Sequence, residues 1–279
     1  MISAFNDSIE RLFKGSIDMH LHAAPDPAIE RRQNAIETAR HAKEAGMRAI
    51  VFKSHDYPTA PLAYIVSQII DGIKIFGAIA LDKEIGGLNP LAVEVSGKLD
   101  AKIVWMPTFT ADNDSMRRTG KPGIRIIDES GKLLPVIDEI LGLIKQYDMI
   151  LGTGHLSRDE IFALVDEARR RDIKTVATHA TFSLSVDDQK AITSKGALIE
   201  HSFLYVLAMG GRRSPQEMFE VMKAVGPERG IMSTDLGQAH NMPPVEGIRM
   251  FIATLLRLGM SERDIALMVK ENPARLLGL

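Results

Sequence analysis

Short runs of β-branched and apolar residues alternate with longer amphipathic stretches along most of this chain. The runs fall at 15–22, 48–55, 73–81, 101–108, 149–155, 174–179, 197–201 and 230–235. Strand-type runs separated by helix-length connections are the pattern of parallel strands joined by crossover helices. Eight such alternations predict an α/β chain closed into a (β/α)8 barrel, and the 279 residues suit one barrel domain spanning 1–279.

The helix signals between the runs are local and physical. Asn89-Pro90 offers an N-cap followed by a first-turn proline, while Ser157 with Glu160 and Ser214 with Glu217 have capping-box spacing. Ala35, Ile36, Ala39 and Ala42 share one helical face, a narrow apolar stripe suited to packing on a barrel wall, and Gly46 is placed to end that helix. One connection is long: about 109–134 reads as a loop insertion with a small hairpin turning at 129–131.

Composition narrows the chemistry. The chain has no cysteine, so disulfides, thiolate zinc sites and cysteine nucleophiles are excluded and any metal must sit on nitrogen and oxygen. A formal charge of -2 with both signs interspersed provides neither a basic stripe for nucleic acid nor a polybasic segment for membranes. The first fifteen residues carry charges throughout and lack a long apolar core, so they read as neither leader nor membrane span, and a cytoplasmic protein is expected. The sequence does not fix an oligomeric state, for which a homo-oligomer is the usual default.

The histidines carry the strongest signal. Of eight, His20, His22, His55, His155, His179 and His201 lie at or beside the C-terminal end of an expected strand. If strand ends occupy roughly a sixteenth of a barrel chain, chance would put about one of the eight there at most, and this is the face on which barrel enzymes work. Residues two apart on a strand point the same way, so Asp18, His20 and His22 share the interior face. A lone His-x-His is weak evidence, since two histidines can serve packing alone; its context here raises it. Asp235 closes the last strand, where a carboxylate can ligate a metal and accept a proton from water, or serve merely as a cap. Imidazole and carboxylate donors suit zinc first, with manganese, iron or nickel also compatible.

This constellation resembles the amidohydrolase superfamily, whose pattern is His-x-His on strand one, histidines from strands five and six, and aspartate on strand eight. The tail Glu271-Asn-Pro-Ala-Arg-Leu-Leu-Gly278 is similar to the closing helix common there, so the resemblance spans His20 to Gly278, although no substrate-assigned branch matches between the motifs. By strand count the resemblance implies His20, His22, His155, His179 and Asp235 as metal ligands, with Asp235 also catalytic and His201 lining the pocket to polarise substrate. A competing register takes Ala177-Thr-His179 and Ile199-Glu-His201 as the strand-five and strand-six motifs, leaving His155 as an extra ligand or acid; it requires a missing βα unit before Asp235. The strand-four lysine that bridges two metals in dinuclear members has no counterpart at the end of 101–108, Lys102 being too early, so one ion is expected rather than two. Lys53 and His55 close strand two, and either could face the metal centre and bind substrate, or serve instead as a rim lysine and a loop-capping histidine.

The activity implied is metal-assisted hydrolysis of an amide, ester, lactone or phosphoester in a small molecule, with Asp235 taking the proton from the attacking water. Arg117, Arg118, Arg212 and Arg213 are candidate contacts for an anionic substrate, or else solvated loop charges. Three other readings compete: a metal-dependent decarboxylase or hydratase on the same barrel, a metal-binding scaffold without catalysis, and a phosphate-binding aldolase barrel. The last would need glycine-rich loops after strands seven and eight and a strand-borne lysine, of which Gly210-Gly211 is only an echo.

Overall fold

In the computed structural model the described residues are 2–207 and 213–279, with the side chains of all but Ile2 and Phe182. Arg212 lies outside them. They gather into two compact units, one of Met1–Phe52, Leu62–Phe76 and Glu200–Leu279, the other of Lys53–Pro61 and Gly77–Ile199.

In the first unit β1 (Ile17–Leu21), β2 (Ala49–Phe52) and β3 (Lys74–Phe76) form a parallel sheet in that order. The second holds β4 (Ala78–Ala80), β5 (Ile103–Trp105), β6 (Ile150–Gly152) and β7 (Thr175–Ala177), each parallel to the next. This order continues through β8 (Leu198–Ser202) to β9 (Gly230–Ser233), and that last strand belongs to the first unit. Apart from β3 every strand is buried along its whole length, as parallel strands covered on both faces must be. Strands such as β2 (AIVF) and β5 (IVW) therefore read as apolar runs, whereas β1 (IDMHL) and β8 (LIEHS) carry buried polar side chains.

Each expected run is a strand, but the third is divided at Gly77. The cause is the neighbouring chain: Thr59 donates its N–H to the Ala78 carbonyl at 2.8 Å, and its Oγ1 accepts from Ala78 N at 2.8 Å. A Cβ on Gly77 would lie 2.4 Å from the Ala60 backbone, so only glycine admits this approach.

Helices fill the connections where the caps predicted them. Pro90–Lys98 starts on the Asn89 side chain, and Arg158–Arg170 and Pro215–Val225 start on complete capping boxes. The helix Ala35–Glu44 begins on a further box, Asn34 with Glu37, and Gly46 follows it at φ +84°. Its buried face is Ala35, Thr38, Ala39 and Ala42, with Thr38 in the place expected for Ile36. In the long connection the hairpin is present, Ile127 bridging Leu133 around Asp128, but the loop expected before it contains a helix, Asp112–Thr119. Near the C-terminus the buried Asn272 donates its amide to the carbonyls of Pro227 and Gly230, tying the helix Asn272–Leu277 to the start of β9. Among the described residues no helix is long and apolar enough to cross a membrane.

Candidate metal centre

In the first unit, β1 aims Asp18, His20 and His22 to one side. The segment after β9 runs beside it, Asp235 N–H donating to the His20 carbonyl and His22 N–H to that of Leu236, both at 2.8 Å. Gly237 makes this approach possible: at φ +141° its Cβ position lies 2.1 Å from the His22 carbonyl oxygen. The result is that His20 Nε2 and His22 Nε2 each lie 3.1 Å from Asp235 Oδ1. All three side chains are buried and their donor atoms converge within 4.8 Å, an arrangement able to hold a metal ion. Asp235 adopts a left-handed backbone at φ +56°, a conformation that costs about 1 kcal/mol and is held here by its neighbours.

A residue absent from the sequence reading completes the group. On β8 successive side chains alternate, and Glu200 faces His20, its Oε1 2.8 Å from Nδ1 and accepting from Ser233 Oγ at 2.7 Å. A buried carboxylate at Nδ1 fixes the proton there, leaving the Nε2 lone pair directed at the Asp235 carboxylate. Three converging N and O donors could hold a divalent metal there. Deeper on β1, Asp18 accepts from Thr234 N at 3.1 Å, Thr234 Oγ1 at 2.5 Å and His20 N at 3.1 Å. Burial nevertheless pushes its carboxyl up to about 7.

The same alternation sends His201, expected in the pocket, to the other face of β8. Its Nε2 lies against Gly230, 2.9 Å from where a Cβ there would stand, so it packs toward β9 rather than toward His20. Burial holds it down at about 3, the nearby Glu200 offsetting this only in part.

The second unit carries its own polar group at strand ends. After β6, His155 Nδ1 lies 3.2 Å from Asp114 Oδ2, and Asp114 also pairs with Arg117. The His155 Nε2 is buried and has no hydrogen-bond partner among the described residues. Burial lowers its pKa, the Asp114 bond opposing. Burial alone would raise Asp114, but the bonds from His155 and Arg117 outweigh it and hold the carboxyl at about 2. His179, after β7, brings its ring centroid within 5.2 Å of that of His155 and, like Asp235, holds a left-handed backbone. Thr153 and Thr178 bind these two strand ends together, Thr178 N donating to Thr153 Oγ1 at 2.9 Å and Gly154 N to Thr178 Oγ1 at 3.2 Å.

At the end of β2, His55 Nδ1 is 2.6 Å from Thr108 Oγ1, which donates in turn to Asp82. Asp82 further accepts from Thr108 N at 2.9 Å and from Thr110 N and Oγ1 at 3.0 and 2.7 Å. Burial opposes its ionisation, yet these bonds carry its carboxyl far below the ordinary range. His55 stacks on Phe109 with centroids 3.9 Å apart, and Arg118 lies 4.1 Å from the Phe109 ring centre. Burial, then the charge of Lys53, lowers His55 to about 3. Lys53 itself is buried, 5.1 Å over Trp105. Of the arginines expected to meet substrate, Arg117 and Arg118 are engaged within their own loop, and Arg213 is exposed.

These histidines make acid stability predictable. An unfolded histidine binds its proton near pH 6.5, whereas folded His55 and His201 bind theirs near 3. The unfolded chain therefore holds more protons between these values. Their contribution to stability is complete above pH 6.5 and is lost as pH falls, by up to about 1.4 kcal/mol per pH unit for each. Denaturant unfolding of chelated protein from pH 7.5 to 5 should show this slope, and His201→Gln should flatten it by one proton. An unchanged slope in that variant refutes the assignment.

Each unit thus carries buried histidines and carboxylates at the ends of its parallel strands. Solved structures share the fold. An amidohydrolase from Pseudomonas aeruginosa superposes with a TM-score of 0.68 at 16% identity, covering 98% of each chain. The probable dipeptidase PvdM from the same organism gives 0.71 at 12% identity, covering 99% of this chain and 98% of its own. A 2,6-dihydroxybenzoate decarboxylase gives 0.54 at 12%, covering 95% and 100%. Residues 15–200 match the model of DUF6282, described as a family of unknown function, and the chain belongs to that family. A search of curated proteins found no match.

Proposed function

We propose that this protein is a metal-dependent hydrolase whose ion is held by His20, His22 and Asp235. The observation that supports this most is the approach of both Nε2 atoms to Asp235 Oδ1 while Glu200 occupies the far nitrogen of His20. Strand count in the sequence adds His155 and His179 to the ligand set, and zinc is the first choice for this donor mixture, with one ion rather than two.

A divalent cation held by these donors supplies Lewis-acid polarisation and makes water acidic enough to react near neutral pH. Asp235 accepts the proton from the attacking water. Glu200 holds the His20 ring in one tautomer and one orientation. The proposed substrate is a small molecule with an amide, ester, lactone or phosphoester bond. The decarboxylase neighbour shows that the fold alone does not choose the reaction.

The test is a panel of those four substrate classes assayed with zinc- or manganese-loaded protein and with chelated protein. Hydrolysis of at least one class, lost on chelation and restored by metal, is expected. Turnover indifferent to chelation, or carbon dioxide release without hydrolysis, overturns the reading.

A further inference from the structure

The loop that follows β1 returns a second functional group to His22. Arg31 is fixed there by backbone bonds to the chain after Asp235: Arg31 bridges Gln238, and Arg32 N–H donates to the Gly237 carbonyl at 2.8 Å. Its guanidinium is 1% exposed and paired with an almost equally buried Asp26, Nε at 2.8 Å and Nη2 at 2.6 Å from Oδ2. Burial alone would raise the Asp26 carboxyl; the N–H groups of Ile29 and Ala28 together with Arg31 lower it instead.

That pairing uses one edge of the guanidinium and leaves its end. There Nη2 reaches His22 Nδ1 at 3.3 Å, and Nη1 is buried with no hydrogen-bond partner among the described residues. A buried cationic donor left without an acceptor is costly, and such groups in folded proteins ordinarily meet a ligand or water.

We propose that the end of Arg31 is a subsite for a carboxylate carried by the substrate of the metal centre. This rests on the hydrolase reading above and names its substrate class: a small molecule with a carboxylate a short distance from the bond that breaks. The planar fork puts Nη1 within about 6 Å of His22 Nδ1, so two or three carbons link the carboxylate to the reacting centre. One planar fork, already half neutralised by Asp26, matches one singly charged carboxylate better than a dianionic phosphate.

The probes are succinate and glutarate monohydroxamates, which present a metal-binding group and a carboxylate, against acetohydroxamate, which lacks the carboxylate. Titrated calorimetrically into zinc-loaded protein, one of the two should bind about 10- to 100-fold tighter than acetohydroxamate, the range of a charged hydrogen bond. In Arg31→Met that advantage should vanish while zinc per chain and acetohydroxamate affinity hold. Arg31→Lys, which keeps a cation for Asp26 but loses the fork, guards against misfolding and should lose the advantage as well. An advantage absent from the wild type, or persisting in both variants, overturns the subsite. If the wild type takes up no zinc, the hydrolase reading fails by itself. Plain succinate then reads the subsite, raising Tm in the wild type and not in Arg31→Lys if it exists, and raising neither or both equally if it does not.

Discussion

Asp235→Asn should lower turnover about a thousandfold, with the fold intact and no rescue by added metal. Asparagine tolerates the left-handed backbone at φ +56°, and the N–H bond to the His20 carbonyl does not involve the side chain, so the loop after β9 should keep its course. What disappears is the carboxylate charge 3.1 Å from both imidazoles, on the group proposed to take the proton from water. Loss of a positioned general base alone costs roughly 10²- to 10⁴-fold. The weakened ligand adds to this at low metal, so kcat is to be measured at saturating zinc with a substrate found in the panel. Activity within tenfold of wild type would remove Asp235 from the proton-transfer role.

Glu200→Gln and Glu200→Leu should weaken metal affinity by about 10- to 100-fold, the usual effect of losing a carboxylate behind a ligating histidine. Glutamine can still accept from His20 Nδ1 and Ser233 but brings no charge to raise the basicity of Nε2; leucine also leaves a buried Nδ1–H without its acceptor. The leucine variant should therefore be the weaker of the two, measured by competition with a chromogenic chelator. Equal affinities in all three proteins would mean that Glu200 is only a packing residue of β8.

Much of this fold lies in local patterns. Most of the eight runs are legible because parallel strands covered on both faces are mainly apolar, and the caps at Asn89, Ser157 and Ser214 act through neighbours three residues away. What escaped depends on distant chain. The break at Gly77 is caused by Thr59, eighteen residues earlier, taking the hydrogen bonds of Ala78. The helix Asp112–Thr119 has almost no apolar stripe; its acidic first turn and the left-handed Gly120 after it were the available signals.

The site divides along the same line. Period-two geometry on β1 is enough to pair His20 with His22, but on β8 all five residues are buried, so the sequence does not say which parity faces inward. His201 attracted attention as a histidine, whereas the alternation of Glu200 with Ser202 faced the site. Arg31 sits in an aperiodic loop beside Arg32, and nothing short of its return to His22 separates it from the other adjacent arginine pairs of the sequence.

The most direct test is the metal content of protein purified without chelator or tag histidines, as zinc, manganese, iron and nickel per chain, alongside His20→Ala and Asp235→Ala. About one ion per chain in the wild type, lost in both variants whose far-ultraviolet circular dichroism matches it, is the expected result. A folded wild-type protein that takes up no metal even after reconstitution would contradict the account.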